Sequence, residues 1–257
     1  MIMFGDQPDR EPEEAAPGET FAWPSLDLAD SEPGARFDPA KPGAAIRPAI
    51  SHLVVLGDGL ADLVTLRGQG PARVESLLLP QESRPWKLTM LGAEEITRAG
   101  DLFQLPDGAS HVLISIEGIG AIEESGLLDN RPDTYKQALL LLSMAADEYE
   151  RQAGMLIQVA KASRLPTVVC NMVPPRYEDP ERQRAVCTAL AVFNDRLVRR
   201  TFAARLPLVD LNLVCTDGAD YADPIRLSKQ GLRKASNVVL SALYAATRDP
   251  GRADIFF

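Results

Sequence analysis

The stretch His52-Leu53-Val54-Val55-Leu56-Gly57-Asp58-Gly59 decides how this chain folds. A short apolar run without polar alternation is what a parallel strand covered on both faces needs, and a glycine directly after it lets the backbone turn sharply. Four similar runs follow, at Lys87–Leu91, His111–Ile116, Thr167–Asn171 and Leu208–Leu211, each flanked by Gly, Pro or polar residues. Helices are expected between them over Ala72–Leu79, Asp133–Ser163, Pro180–Ala204 and Lys229–Thr247. Pro132-Asp133 and Asp179-Pro180-Glu181 precede two of these helices and supply an acceptor, or a residue needing no partner, at their starts. The segment Ala138–Ala146 is apolar almost all round, so it is expected to lie on the sheet on one side and to be covered on the other. The alternation predicts an α/β fold: a single three-layer doubly wound domain over residues 46–250, with a five-stranded parallel sheet of flavodoxin-like type and a ligand cleft at the carboxyl ends of the strands.

Residues 1–45 read differently. They hold seven of the chain's 20 prolines and ten acidic against three basic residues, so most of the net charge of −9 lies there. A segment so charged and so rich in proline cannot bury a core, and a largely disordered acidic tail is expected. Phe21, Trp23 and Leu26 within it form a candidate docking motif for a protein partner; the plainer reading is a solvated leader.

Composition excludes several function classes. Basic residues are outnumbered and scattered, which argues against a nucleic-acid-binding surface. Ala138–Ala146 is the longest strongly apolar run, well short of the roughly 20 residues that span a bilayer. Cys170, Cys187 and Cys215 form no CxxC pair, so neither a zinc knuckle nor a dithiol site is signalled, and no cofactor is indicated. Met1–Arg10 lacks the basic start and apolar core of a secretory signal, and a cytoplasmic location is expected.

The residues expected to follow the strands are Asp58, Gly59 and Asp62; Glu94 and Glu95; Glu117, Gly118, Ile119 and Gly120; Cys170, Asn171 and Arg176; and Asp217, Asp220, Asp223 and Arg226. The chain's two histidines, His52 and His111, open strands instead, which places them at the opposite edge of the sheet. A serine or cysteine nucleophile at the cleft therefore lacks its usual imidazole base, and Cys170 reads as a small buried hydrophobe. Asp58, Glu95, Glu117 and Asp223 could converge to bind a hard cation or act as an acid/base pair, with Asp58 and Glu117 the metal candidates. Alternatively, such carboxylates cap helices or pair with Arg98, Arg176 and Arg226. Arg226 has two readings of its own, an anion-binding side chain or the salt-bridge partner of Asp223.

Three blocks resemble the SGNH (GDSL) hydrolases. Leu53 to Asp62 looks like the first block, where a strand ends in Gly-Asp-Ser-Leu with a nucleophilic serine; Ser115 to Ala121 looks like the block ending in Gly-Gly-Asn-Asp; and Asp223 to Gly231 looks like the Asp-x-x-His block before a helix. The resemblance spans about residues 50–245 and implies an esterase-type fold. It also implies that the chemistry is replaced. Gly59 stands at the serine position, Ile119 at the asparagine, Arg226 at the histidine, and Glu95 at or near the glycine of the second block, while Gly57, Asp58, Gly118 and the triad acid Asp223 remain. A guanidinium stays protonated and cannot act as a base. The expectation is a catalytically inactive member whose cleft binds a small ligand or partner; the alternative is an ester hydrolase with residual or carboxylate-assisted chemistry.

Overall fold

A computed structural model of the chain describes residues 52–59, 87–100, 103–124, 128 and 134–257. The acidic tail, the helix expected at Ala72–Leu79, Asp62 and Pro132-Asp133 lie outside the described residues.

Six parallel strands form one sheet in the order β2-β1-β3-β4-β5-β6: β1 (His52–Leu56), β2 (Lys87–Leu91), β3 (His111–Ser115), β4 (Thr167–Cys170), β5 (Leu208–Val209) and β6 (Ile255–Phe256). The described helices are α1 (Ala93–Ala99), α2 (Ile119–Glu124), α3 (Tyr135–Ser163), α4 (Pro180–Ala203), α5 (Leu211–Val214) and α6 (Lys229–Arg248). Strands β1, β3, β4 and β5 are buried throughout, as apolar runs covered on both faces are, while β2 and β6 at the edges are partly exposed. Val54, Leu56, Val112, Ile114 and Val169 face α1, α3 and α4, whereas Leu53, Val55, Leu113, Val168 and Cys170 face α5 and α6.

Three expectations need correction. The sheet has six strands rather than five, because Ile255 and Phe256 pair in parallel with Leu208 and Val209. Two residues are too few to show a periodicity. Strand β5 stops at Val209, not Leu211, because the Asp210 carboxylate accepts the amide of Asn212 at 3.1 Å and starts a helix there. The apolar segment of α3 is not covered on its outer side: Leu139, Leu140 and Met144 are exposed.

Caps fix the helix starts. Thr134 takes the Gln137 amide at 3.2 Å to begin α3, one residue after the expected acceptor. Asp179 accepts the Glu181 amide at 2.9 Å with Pro180 in the first turn of α4, as the sequence predicts. Ser228 caps α6 through the amides of Gln230 and Gly231.

The last crossover differs from the others. The connections through α1, α3 and α4 step across the sheet in one direction and lie on one face. The connection from β5 to β6 steps the same way but runs through α6 on the other face, so its hand is opposite. About 98% of such crossovers share one hand, so this one is unusual.

Under the ends of β3 and β4, Tyr149 stacks on Phe193 with ring centroids 5.0 Å apart. Both rings are buried, yet the Tyr149 hydroxyl has no hydrogen-bond partner among the described residues, and burial pushes its pKa up. An unpaired buried hydroxyl costs about 1 to 3 kcal/mol. Tyr149→Phe keeps the ring packing and is expected to raise stability by about 1 kcal/mol in urea unfolding. A drop of that size would mean that the hydroxyl is bonded.

Candidate functional site

The carboxyl ends of the strands gather most of the residues singled out above. Gly57 closes β1 with φ of 92°, a left-handed conformation that favours glycine, and its amide bonds to Leu91 O at 2.9 Å. Asp58 is exposed, and its carboxylate lies beside Gly92, where a Cβ would stand 3.3 Å from Oδ1. The amide of Gly59 donates to Ser115 O at 3.1 Å, which draws the turn onto the end of β3. A Cβ built on Gly59 would stand 2.7 Å from the carbonyl carbon of Ile116, 2.8 Å from its oxygen and 2.8 Å from Ser115 Oγ. Position 59 has no room for a side chain.

The end of β3 is just as tight. A Cβ on Gly118 would meet Met172 Sδ at 2.0 Å and the Phe193 ring at 3.3 Å. Ile119 opens α2 and packs against the core beside it. Glu117 is exposed. Glu94 and Glu95 are exposed in the first turn of α1, and it is Gly92, the residue preceding that helix, that meets Asp58.

On the far side, buried Asn171 ties β4 to β5: its amide group donates to Asp210 Oδ1 at 2.7 Å and its carbonyl accepts the Leu211 amide at 2.7 Å. Asp223 accepts the amides of Ile225 and Arg226 at 3.0 and 2.9 Å and pairs with Arg226 Nε at 2.5 Å. Of the two readings of Arg226, the salt bridge is the one formed. Desolvation works to raise the Asp223 pKa, but these amides and the guanidinium outweigh it and hold the carboxyl below its ordinary range. Arg176 joins this loop through its amide to Pro224 O at 2.6 Å, while its guanidinium donates to Thr216 O and lies over the Tyr221 ring at 5.2 Å. No hydrogen bond or ion pair among the described residues joins Asp223 or Arg226 to Asp58 or Glu95. Nor do the described residues hold a group of three or more His, Cys, Asp or Glu arranged for a metal ion.

No protein-family description matches this sequence, and no curated protein matches it either. Solved structures do. A lipase, Lip_vut3, from a goat rumen metagenome is 16% identical with a TM-score of 0.53, covering 76% of this chain and 98% of that one. An extracellular lipase from Streptomyces rimosus is 16% identical with a TM-score of 0.50, covering 75% and 99%. The fold is that of the SGNH hydrolases.

Within this SGNH fold the histidines sit where the sequence places them, at the amino-terminal edge. His52 Nε2 lies 2.9 Å from Thr89 Oγ1; His111 lies 3.0 Å from Ser110 Oγ and 2.9 Å from Thr247 Oγ1. Both are buried, and desolvation lowers the His111 pKa to about 4. Above pH 6.5 neither the folded nor the unfolded chain protonates this ring; below it the unfolded chain takes up a proton that the folded one refuses. Stability is therefore lost as pH falls, by about 2 kcal/mol at pH 5 and about 3 kcal/mol at pH 4. His111→Gln is expected to shrink the loss of unfolding free energy between pH 7.5 and pH 5 by that 2 kcal/mol. An unchanged difference would place its source elsewhere.

Cys170 and Cys215 are buried thiols held in the protonated form. Burial pushes Cys170 far up, and burial with the Asp220 carboxylate takes Cys215 up to about 11. Cys215 caps the end of helix α5. Helix α6 is held close to the loop before it by Gly231, whose Cβ would stand 2.2 Å from Asp220 O, and by Lys234, which bonds Asp217 and the buried Asp220 at 2.9 Å each. Sequence reasoning missed Gly92 and Ser115 as members of the site. Gly92 directly follows the strand that ends at Leu91, which is the signal that could have found it.

Proposed function

We propose that this chain is an SGNH-fold protein without the hydrolase chemistry, whose strand-end cleft serves to bind a small ligand or a partner. One observation carries the reading: the backbone at Gly59, the position that resembles the nucleophile's, lies against Ile116 so closely that no side chain fits. Two others support it. Arg226, at the histidine's position, is locked to Asp223 and presents only donors, and Ile119, at the asparagine's, has no side-chain donor to offer an oxyanion. In a worked serine-hydrolase case, losing the nucleophile or its histidine alone costs on the order of a millionfold in turnover.

The test is hydrolysis of short-chain activated esters by the full chain, beside a heat-denatured control. The expected rate matches the control. Hydrolysis well above it that disappears in Asp223→Ala would overturn the proposal and return the site to the esterases. A rate that needs added divalent cation and fails in Asp58→Asn would instead favour carboxylate-assisted chemistry.

A further inference from the structure

The outward side of α3 near its start is apolar where solvent should make it polar. Tyr135, Leu139, Leu140 and Met144 are 89%, 64%, 57% and 59% exposed. Lys136 at one end and Asp147 at the other bracket this stripe, and both are exposed. Residues 136, 140, 143 and 147 are spaced by four, three and four, the repeat that lines one side of a helix for another helix to pack on.

The pattern is self-complementary. Two copies of α3 laid antiparallel, with a twofold axis level with the Leu141–Leu142 step, bring Leu140 opposite Ser143 of the second copy, with Leu139 beside its own counterpart along one flank and Met144 beside its own along the other. The same axis brings Lys136 opposite Asp147 at both ends of the contact. A twofold interface demands this match between a surface and itself, and a stripe bracketed by two like charges would repel its own copy. Asp147 already bonds Arg196 at 2.7 Å, but its side chain is 62% exposed and has a second oxygen for a lysine. Lys136 has no ion pair among the described residues. Covering Leu139, Leu140 and Met144 on both copies removes on the order of 700 Å² from water, the size of a weak or transient contact.

We propose that the exposed stripe of α3 is a homodimer interface, formed with the antiparallel α3 of a second copy of this chain. The dimer is of modest affinity and salt-sensitive, because charge pairs at its rim set the register while a small apolar centre supplies the attraction.

Sedimentation of the full chain between 1 and 200 μM tests it, with circular dichroism to show that each variant is folded. Wild type is expected to shift from monomer to dimer over this range. Leu140→Glu is expected to be monomeric throughout. Lys136→Glu is expected to weaken the dimer at least tenfold, and Lys136→Glu with Asp147→Lys to recover most of that loss. A wild type monomeric at 200 μM overturns the proposal. So does a dimer that Leu140→Glu leaves intact, since its contact must then lie on another face.

Discussion

Gly57→Ala is expected to destabilise the domain by about 3 to 5 kcal/mol, a large share of the 5 to 15 kcal/mol that holds a domain of this kind together. Two costs fall on one methyl group. The backbone at Gly57 has φ of 92°, which an L-residue with a Cβ adopts only with strain. The methyl itself would stand 2.3 Å from Ser115 O, a backbone atom of the adjacent central strand. Neither cost can be relieved locally. Turning the residue to negative φ moves its amide, which is bonded to Leu91 O, and moving Ser115 disturbs the bond that its carbonyl accepts from Gly59. Urea unfolding of wild type and variant measures the effect; a loss below about 1 kcal/mol would mean that the turn has room to relax.

Gly59→Ser is the second large effect, and it joins stability to chemistry. The added Cβ would approach Ile116 C and O to 2.7 and 2.8 Å, again backbone atoms of the third strand's end. Overpacking of this kind costs about 1 to 3 kcal/mol or more. Gly59→Ala carries the same Cβ without the hydroxyl, so both variants are expected to lose similar stability. Restoring the hydroxyl is not expected to restore ester hydrolysis, because Arg226 cannot accept the proton and remains tied to Asp223. The readouts are unfolding free energy and initial rate on an activated ester. A serine variant as stable as wild type and clearly hydrolytic would sink both the steric argument and the assignment of position 59.

Much of the fold was legible because its central strands are covered on both faces, and such strands announce themselves as unbroken apolar runs. His52–Leu56 and Lys87–Leu91 have the expected bounds, and His111 and Thr167 begin their strands where the sequence puts them. Asp179 and Pro180 mark a helix start by local chemistry alone. What escaped was short or depended on distant partners. Helices α1, α2 and α5 have seven, six and four residues, too few for a helical period to emerge. Asp210 reads as the continuation of a strand until its carboxylate is seen to take the Asn212 amide.

The site divides the same way. The placement of both histidines away from the cleft followed from strand starts, a local signal. The pairing of Asp223 with Arg226 was one of the two readings that their spacing allowed. That Gly59 is pressed against Ile116, and that Gly92 rather than Glu95 lies beside Asp58, are contacts between strands far apart in the chain. No window of sequence contains them.

The opposite-handed final crossover also carries a consequence for the order in which the molecule assembles. The sixth strand reaches its neighbour across more than forty residues and pairs with it over only two residues, flanked by the bonds from the Leu208 amide to Asp254 O and from the Asp210 amide to Phe256 O, each 2.9 Å. Helix α6 packs chiefly on Leu53, Val55, Leu113 and Val168, and Phe256 of β6 reaches that cluster only at its margin. Closing such a distant pair is entropically slow, and the edge is free to peel while the helix stays seated. The sheet is thus expected to be completed last at β6 and to open first there, so that hydrogen exchange at the Leu208 and Asp210 amides reports the breathing of one margin rather than the stability of the whole.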